Sequence, residues 1–218
     1  MKKTLFSPGI IISAIIVVLY YVLAAAVYPM MPEKIASHWG VDGNVNGYMD
    51  KFWGVMLLPV IATALFLLFL FLPKMDPKRE NIEKFRKYYD GFIVLMLLFL
   101  GYIYALTIFW NLGYAFQMNI AIIPPFAVLF YYLGELLNHA EMNWTIGIRT
   151  PWTLESPAVW KKTQKLGALL FKICGVISLI GILLPEHAFW FIIVPILAVS
   201  VFIVLYSYVI FLKQKPRK

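Results

Sequence analysis

Six long apolar runs, almost free of charged residues, restrict what this chain can fold into. Each has about 18 or more residues, enough for a helix to cross the hydrocarbon core of a bilayer at ~1.5 Å per residue. The runs cover residues 10–28, 52–72, 92–110, 120–137, 166–184 and 188–212. We therefore predict an all-α, polytopic membrane protein of about six transmembrane helices, with residues 1–218 forming a single membrane domain.

Composition supports a membrane protein and argues against several other classes. Only 14% of the 218 residues are charged and 62% are hydrophobic, whereas soluble domains carry about 25% charged residues. The net charge of +8 is interpreted as a topology signal and as contact with anionic lipids, with no direct nucleic-acid partner. Cys174 is the only cysteine, which excludes an intrachain disulfide and a CxxC motif, and we predict no cofactor.

The basic residues are distributed unevenly between the polar segments. Sixteen of the 19 lysines and arginines lie in alternate segments, and only Lys34 and Lys51 lie in the segments between them. The positive-inside rule places both termini and the loops 73–91 and 138–165 in the cytoplasm. The segments that face outward are then 29–51, 111–119 and 185–187.

The first outer loop has its own sequence pattern. Asp42-Gly43 and Asn46-Gly47 are residue pairs that tolerate positive φ, which favours a compact double turn or a small hairpin. The hairpin would pair Ile35–Trp39 with Asn44–Tyr48 and hold His38 beside the turn. The outward candidates for contact with a ligand are His38, Asp42 and Asn44.

Histidine and carboxylate side chains in the outer segments are also metal-ligand types. Their spacing is not diagnostic, so we favour a structural role in which the imidazole and the asparagines fasten the loop. We predict no metal. The weak candidates are His38, Asp42, Asp50 and His187.

The inner loop between the fourth and fifth runs is the most distinctive stretch. Ser156-Pro157 is a typical helix start, with a capping hydroxyl and proline at the first helical position. The helix would be an interfacial lead-in to the fifth span, within a unit of residues 143–184. Arg149 could bind a carboxylate, a phosphate or exposed carbonyls, or could lock the loop to Glu135, Glu141 or helix ends. The inner candidates for contact with a ligand or partner are Asn143, Arg149, Thr150, Trp152 and Trp160.

Two charges lie within the apolar runs, at Glu135 and Lys172. Charges inside a membrane are costly, but both residues are within about two helical turns of the cytoplasmic end, where pairing or snorkelling is available. Pairing with each other is therefore the natural expectation, and no chain of carboxylates continues outward to form a proton relay. Pro59 and Pro195 should bend their spans.

Two separate motifs resemble one known family. Gly147-Ile148-Arg149-Thr150-Pro151-Trp152-Thr153-Leu154, followed by Trp160-Lys161-Lys162, is similar to the SdpI immunity family of bacterial membrane proteins. Met31-Pro32-Glu33-Lys34-Ile35-Ala36-Ser37-His38-Trp39 resembles the small uncharacterised domain that accompanies it, over residues 10–72 with the loop 29–51. The chain departs from the family pattern at Glu135 and Glu141, where asparagine and a basic residue are expected.

The resemblance implies a protein of the cell membrane that protects its host from a secreted peptide toxin. Some members of the family are thought also to act as signal receptors that recruit a cytoplasmic repressor. The alternative is a membrane enzyme or small-molecule transporter, with Asn143, Arg149 and Glu135 meeting a substrate headgroup between kinked helices. No nucleophile–base pair, HExxH motif or phosphate loop supports catalysis, so we favour the non-enzymatic interpretation.

Overall fold

The computed structural model describes residues 7–114 and 116–214. It contains six helices long and apolar enough to cross a membrane, which confirms the predicted fold class. These spans are Pro8–Met30, Lys51–Met75, Arg86–Asn111, Met118–His139, Pro157–Ile182 and Pro185–Leu212. Some of the basic residues behind the topology prediction lie outside the described part of the chain: Lys2, Lys3, Lys215, Arg217 and Lys218.

Within the described residues, the elements in chain order are eleven helices and strands with three short 3-10 turns. They are α1 (Pro8–Val27), a 3-10 turn (Tyr28–Met30), β1 (Lys34–Trp39), β2 (Val45–Asp50), α2 (Lys51–Met75), α3 (Arg79–Lys84), α4 (Arg86–Asn111), α5 (Met118–Ala121), α6 (Ile123–His139), α7 (Pro151–Glu155), α8 (Pro157–Ser178), 3-10 turns (Leu179–Ile182 and Pro185–His187) and α9 (Ala188–Leu212).

Serine and proline define where several helices begin. The Ser7 hydroxyl accepts a hydrogen bond from the Ile10 amide at the start of α1, and Ser156 accepts one from the Val159 amide at the start of α8. Proline follows each of these serines, at a position where the missing N–H is not needed. The predicted start at Ser156-Pro157 is thereby confirmed, and the lead-in continues without a break into the fifth span.

The long helices form two groups of three. Helices α1, α2 and α4 pack together, α6, α8 and α9 pack together, and α4 joins the groups through α6. Helices α6 and α8 approach most closely where glycine replaces a side chain. A Cβ atom at Gly134 would lie 2.5 Å from the Ala168 carbonyl oxygen, and one at Gly175 would lie 2.7 Å from that of Ala127. Such close backbone packing is typical of membrane helices with small residues at the crossing.

The third span begins earlier than its apolar run. Helix α4 starts at Arg86 rather than Phe92, which places Asp90 inside the helix although the sequence assigned it to a loop. Its buried carboxylate accepts hydrogen bonds from the Ser7 hydroxyl at 2.5 Å and the Arg86 Nε at 2.6 Å. A charged residue interrupts an apolar run, so apolar composition alone did not mark Asp90 as part of a span. Its burial is possible because both partners satisfy the charge.

Candidate functional site

The outer loop folds as the predicted hairpin. Strands β1 and β2 pair antiparallel, with Ile35 opposite Met49 and His38 opposite Gly47. Gly43 supplies the turn with a φ of 79°. Asn46-Gly47 does not form a second turn but lies within β2, where a Cβ at Gly47 would be 2.9 Å from that of His38. The second glycine therefore makes room for the histidine.

The predicted outer contact residues are all exposed on this hairpin. The His38 Nδ1 hydrogen-bonds to the Asn46 side-chain oxygen, as expected of an imidazole that fastens the loop. Asp42 accepts hydrogen bonds from the backbone amide of Asn44 at 3.1 Å and from its side chain at 2.6 Å. These bonds hold the pKa of Asp42 below its usual value, so the turn carries a carboxylate.

The four weak metal candidates do not assemble into a site. Within residues 7–114 and 116–214, no three His, Cys, Asp or Glu side chains are placed to hold a metal ion. Asp50 is instead paired with Lys34 at 2.5 Å, and His38 is engaged by Asn46.

Asn111, the last residue of α4, fixes the hairpin to the membrane helices. Its side-chain oxygen accepts from the Ala36 amide at 2.8 Å, and its Nδ2 donates to the Ala36 carbonyl at 3.0 Å. Two bonds to one residue extend the edge of β1 as a neighbouring strand would. The sequence offered only a weak signal for this contact, a lone asparagine at the end of an apolar run.

An open cleft of about 820 Å³ lies beside the hairpin, at the end of the helices that the topology prediction places outside. The hairpin turn, the connection after α4 and the segment before α9 form its walls, which include Trp110, Phe116, Leu183 and Leu184. Two carboxylates, Asp42 and Glu186, and the His187 imidazole also line it. The cleft therefore combines aromatic and apolar walls with negative charge.

The outer charges explain why this cleft is negative. Lys34 is paired with Asp50, and Lys51 lies 3.5 Å from Glu33. Among the described outward residues these pairs use both lysines, which leaves Asp42 and Glu186 without a basic partner.

Asn143 organises the inner loop from within. It is fully buried; its oxygen accepts from the amides of Thr145 and Ile146, and its nitrogen donates to the carbonyls of Glu141 and Ile146. All of its hydrogen-bonding capacity is thus used inside the loop.

Two further polar residues hold the inner loop, and sequence reasoning missed both. Buried Asp76, after α2, accepts from the Trp144 amide at 2.9 Å and the Thr145 hydroxyl at 2.5 Å. Gln164 in α8 bonds both the amide and the carbonyl of Ile148, at 3.0 and 2.9 Å. These contacts bring the segments after α2 and α6 together on one side, as the topology prediction requires.

Three other predicted inner residues point into the protein. Thr150 caps α7 in a reciprocal box with Thr153. The Trp152 indole donates to the Ser207 hydroxyl, and the Trp160 indole donates to the Ala140 carbonyl at 2.8 Å. Their polar groups fix the loop against α9 and the end of α6.

Arg149 differs from its neighbours because it is exposed. One guanidinium nitrogen donates to the Trp144 carbonyl, and among the described residues no carboxylate pairs with it. Neither Glu135 nor Glu141 locks it, so the other guanidinium N–H donors have no partner among the described residues.

Glu135 and Lys172 form the predicted pair between α6 and α8, with 2.6 Å between Nζ and Oε2. His139 adds a weaker contact to Glu135 at 3.4 Å and stacks on Tyr88 with ring centroids 3.6 Å apart. No hydrogen bond or ion pair in the described part of the chain joins Glu135 to Asn143 or Arg149, so these three do not form one polar site.

Comparison with known proteins agrees with both motifs. Residues 139–207 match the SdpI/YfhL protein family, and residues 15–63 match a domain of unknown function (DUF1648). The chain is 28% identical to "Immunity protein SdpI" of Bacillus subtilis (strain 168) over 200 residues, which cover 91% of this chain and 93% of that protein. No solved structure matches the chain. Its six membrane-spanning helices and its similarity to SdpI along nearly the whole chain make this a multi-pass cell-membrane protein that resembles the SdpI/YfhL family over residues 139–207.

Proposed function

We propose that this chain is an immunity protein that protects its host cell from a secreted peptide toxin. The observation that carries the proposal is similarity to a protein named for immunity along nearly the whole length of both chains. The hydrogen-bonded interior is consistent with a binding function, because the polar residues of both loops fasten backbone and none is paired as a nucleophile and base.

The outer cleft is the part of the chain that meets the toxin in this proposal. A peptide that reaches the membrane from outside would encounter a concave surface with aromatic walls and two unpaired carboxylates, Asp42 and Glu186. Charge complementarity favours a toxin segment with at least one lysine or arginine next to apolar side chains. Aromatic walls suit the apolar part of such a segment.

A second role, as a receptor that recruits a cytoplasmic partner, is favoured by Arg149. Its guanidinium is exposed and retains free donors, whereas the other predicted inner residues are engaged within the loop. Guanidinium groups recognise carboxylates with two parallel hydrogen bonds. Arg149→Lys keeps the positive charge but loses that geometry. In the presence of toxin, a cytoplasmic partner should therefore bind the Arg149→Lys variant more weakly than wild type.

The test expresses the chain in a host that lacks its own immunity protein and is sensitive to a secreted peptide toxin. Survival during toxin challenge is compared between wild type, Asp42→Asn and Glu186→Gln, at equal membrane abundance. Wild type should protect, and each substitution should weaken protection. Both side chains are exposed, so neither substitution should unfold the protein. Glu186→Gln is the more direct test, because Asp42 also fastens its own turn through Asn44.

Glu33→Gln is the matched control. It also removes one outer negative charge, but Glu33 is far more exposed than its partner Lys51 and does not line the cleft. The control should protect as wild type does. Failure of wild type to protect would contradict the immunity function itself, whereas full protection by both cleft variants would contradict only the assignment of the cleft.

A further inference from the structure

A second groove lies at the end of the helices that the topology prediction places in the cytoplasm. It has a volume of about 520 Å³, and α8, the end of α6 and α9 form its walls. We call it the lysine groove and define it by the side chains Asn138, Lys162, Lys165, Leu169, Lys172 and Tyr206.

The cytoplasmic half of the lysine groove carries uncompensated positive charge. Lys162 and Lys165 are exposed, and neither has an ion-pair or hydrogen-bond partner among the described residues. No carboxylate lines the groove. Lys172 is different, because Glu135 already neutralises it at 2.6 Å.

Neutral donors lie beside these lysines. The Asn138 amide and the Tyr206 hydroxyl are part of the lining, and within the described residues their polar atoms make no hydrogen bond. A group bound between α8 and α9 would therefore meet two cations and two neutral donors. A phosphate, with several acceptor oxygens, suits such a set.

The same face of α8 becomes apolar toward the membrane centre. Lys162, Lys165, Leu169, Ile173 and Val176 are spaced by three or four residues and so share one face. Leu169, Ile173 and Val176 are 57%, 41% and 60% exposed. In a helix that spans a membrane, exposed apolar side chains contact acyl chains.

The side chains along this face change from basic to apolar in the order in which a phospholipid changes from phosphate to acyl chain. From Lys162 to Val176 the helix rises about 21 Å at ~1.5 Å per residue, which is close to the headgroup region plus one leaflet of a ~30 Å hydrocarbon core. A soluble phosphate ligand would use the lysines but leave the apolar half without a role. The combination selects a lipid over a cytoplasmic phosphopeptide or nucleotide.

We propose that the lysine groove binds one anionic phospholipid of the cytoplasmic leaflet. Lys162 and Lys165 hold its phosphate, Asn138 and Tyr206 donate to the remaining oxygens, and one acyl chain lies along Leu169, Ile173 and Val176. Basic pockets between membrane helices on the cytoplasmic side bind anionic headgroups in this way. This inference does not depend on the toxin.

The experiment titrates the purified full-length protein with phosphatidylglycerol or phosphatidylcholine and counts bound lipids by native mass spectrometry. Wild type should retain one phosphatidylglycerol in preference to phosphatidylcholine. The variant Lys162→Gln/Lys165→Gln should bind phosphatidylglycerol about 10- to 25-fold more weakly, since each lysine near a lipid phosphate contributes about three- to fivefold.

Lys84→Gln/Lys161→Gln is the matched control. It also removes two exposed cytoplasmic lysines, one of them on α8, but neither lines the groove. The control should bind phosphatidylglycerol within about twofold of wild type. Equal binding of the two lipids by wild type, or an equal loss in the control, would overturn the proposal. If the double variant fails to fold, the single variants Lys162→Gln and Lys165→Gln replace it, and each should bind phosphatidylglycerol about three- to fivefold more weakly than wild type.

Discussion

Tyr104 of α4 donates its hydroxyl to the carbonyl of Val55 in α2, at 2.9 Å. That carbonyl lacks its helical donor, because the residue four positions later is Pro59, which has no N–H. The same arrangement recurs nearer the other end of α2. There Tyr89 donates to the Phe69 carbonyl at 2.6 Å, and the residue four positions later is Pro73, which has no N–H to donate. Both tyrosines are buried, so α4 completes the hydrogen bonding of α2 at two prolines.

This relationship predicts that Tyr104→Phe and Pro59→Ala are not additive. Alone, Tyr104→Phe leaves the Val55 carbonyl unsatisfied in a dry environment, which should cost about 1–3 kcal/mol of unfolding free energy. In the Pro59→Ala background the helix supplies its own donor, so the same change should cost less than about 1 kcal/mol. Denaturant unfolding in detergent measures both. An equal cost in the two backgrounds would show that the tyrosine acts through packing alone.

The Glu135–Lys172 pair should make the stability effects of substitutions in α6 and α8 depend on each other. Lys172→Gln leaves the carboxylate beside only His139, and we expect a loss of about 1–3 kcal/mol, toward the lower end because both side chains are roughly 30% exposed. The swapped variant Glu135→Lys/Lys172→Glu should recover part of that loss. Thermal unfolding in detergent is the measurement, with Lys161→Gln as the control on the same helix. A swap that is less stable than either single variant would argue against a specific pair.

The main features of the fold were predictable because they are local. Runs such as 52–72 set the length of α2, and Asp42-Gly43 identified the hairpin turn, since a positive φ at glycine is a property of the residue itself. Ser156-Pro157 marked the start of α8 for the same reason. Helix ends were less predictable: α4 extends back to Arg86 because its first turns are stabilised by ion pairs rather than by lipid.

The contacts that organise the site could not be predicted in the same way. Asn111 hydrogen-bonds to Ala36, 75 positions away in the sequence, and Asp76 to Trp144, 68 positions away. At such sequence separations, local patterns carry no information about which residues pair. Asn143 shows a second limit of sequence patterns. A polar residue in a distinctive loop predicts contact with a ligand, and the pattern does not reveal that this side chain is buried and bonded to the loop's own backbone.

Asp42 gives the hairpin a dependence on pH. Its pKa is lowered by hydrogen bonds from Asn44, so the charged form stabilises the turn. That contribution is present above the ordinary value of 3.8 and is lost as pH falls through the lowered pKa. Asn44→Ala should raise the pKa of Asp42 toward 3.8, measured by carboxyl NMR titration. Asn46→Ala, which removes the partner of His38 instead, should leave it unchanged. An unaltered titration in Asn44→Ala would assign the shift to another cause.

Cysteine labelling of intact cells tests the orientation on which both proposals rest. His38 and Arg149 lie in polar segments at opposite ends of the helices, and a charged maleimide cannot cross the hydrocarbon between them. Native Cys174 is buried, so Cys174→Ser provides a clean background. In it, His38→Cys should react with reagent added outside, whereas Arg149→Cys should react only after permeabilisation. Lys84→Cys should behave like Arg149→Cys, because Asn81 donates to the Met142 carbonyl at 2.7 Å and joins those two segments. Labelling of position 149 from outside, with position 38 protected, would invert the assignment of the toxin-facing and cytoplasmic sides.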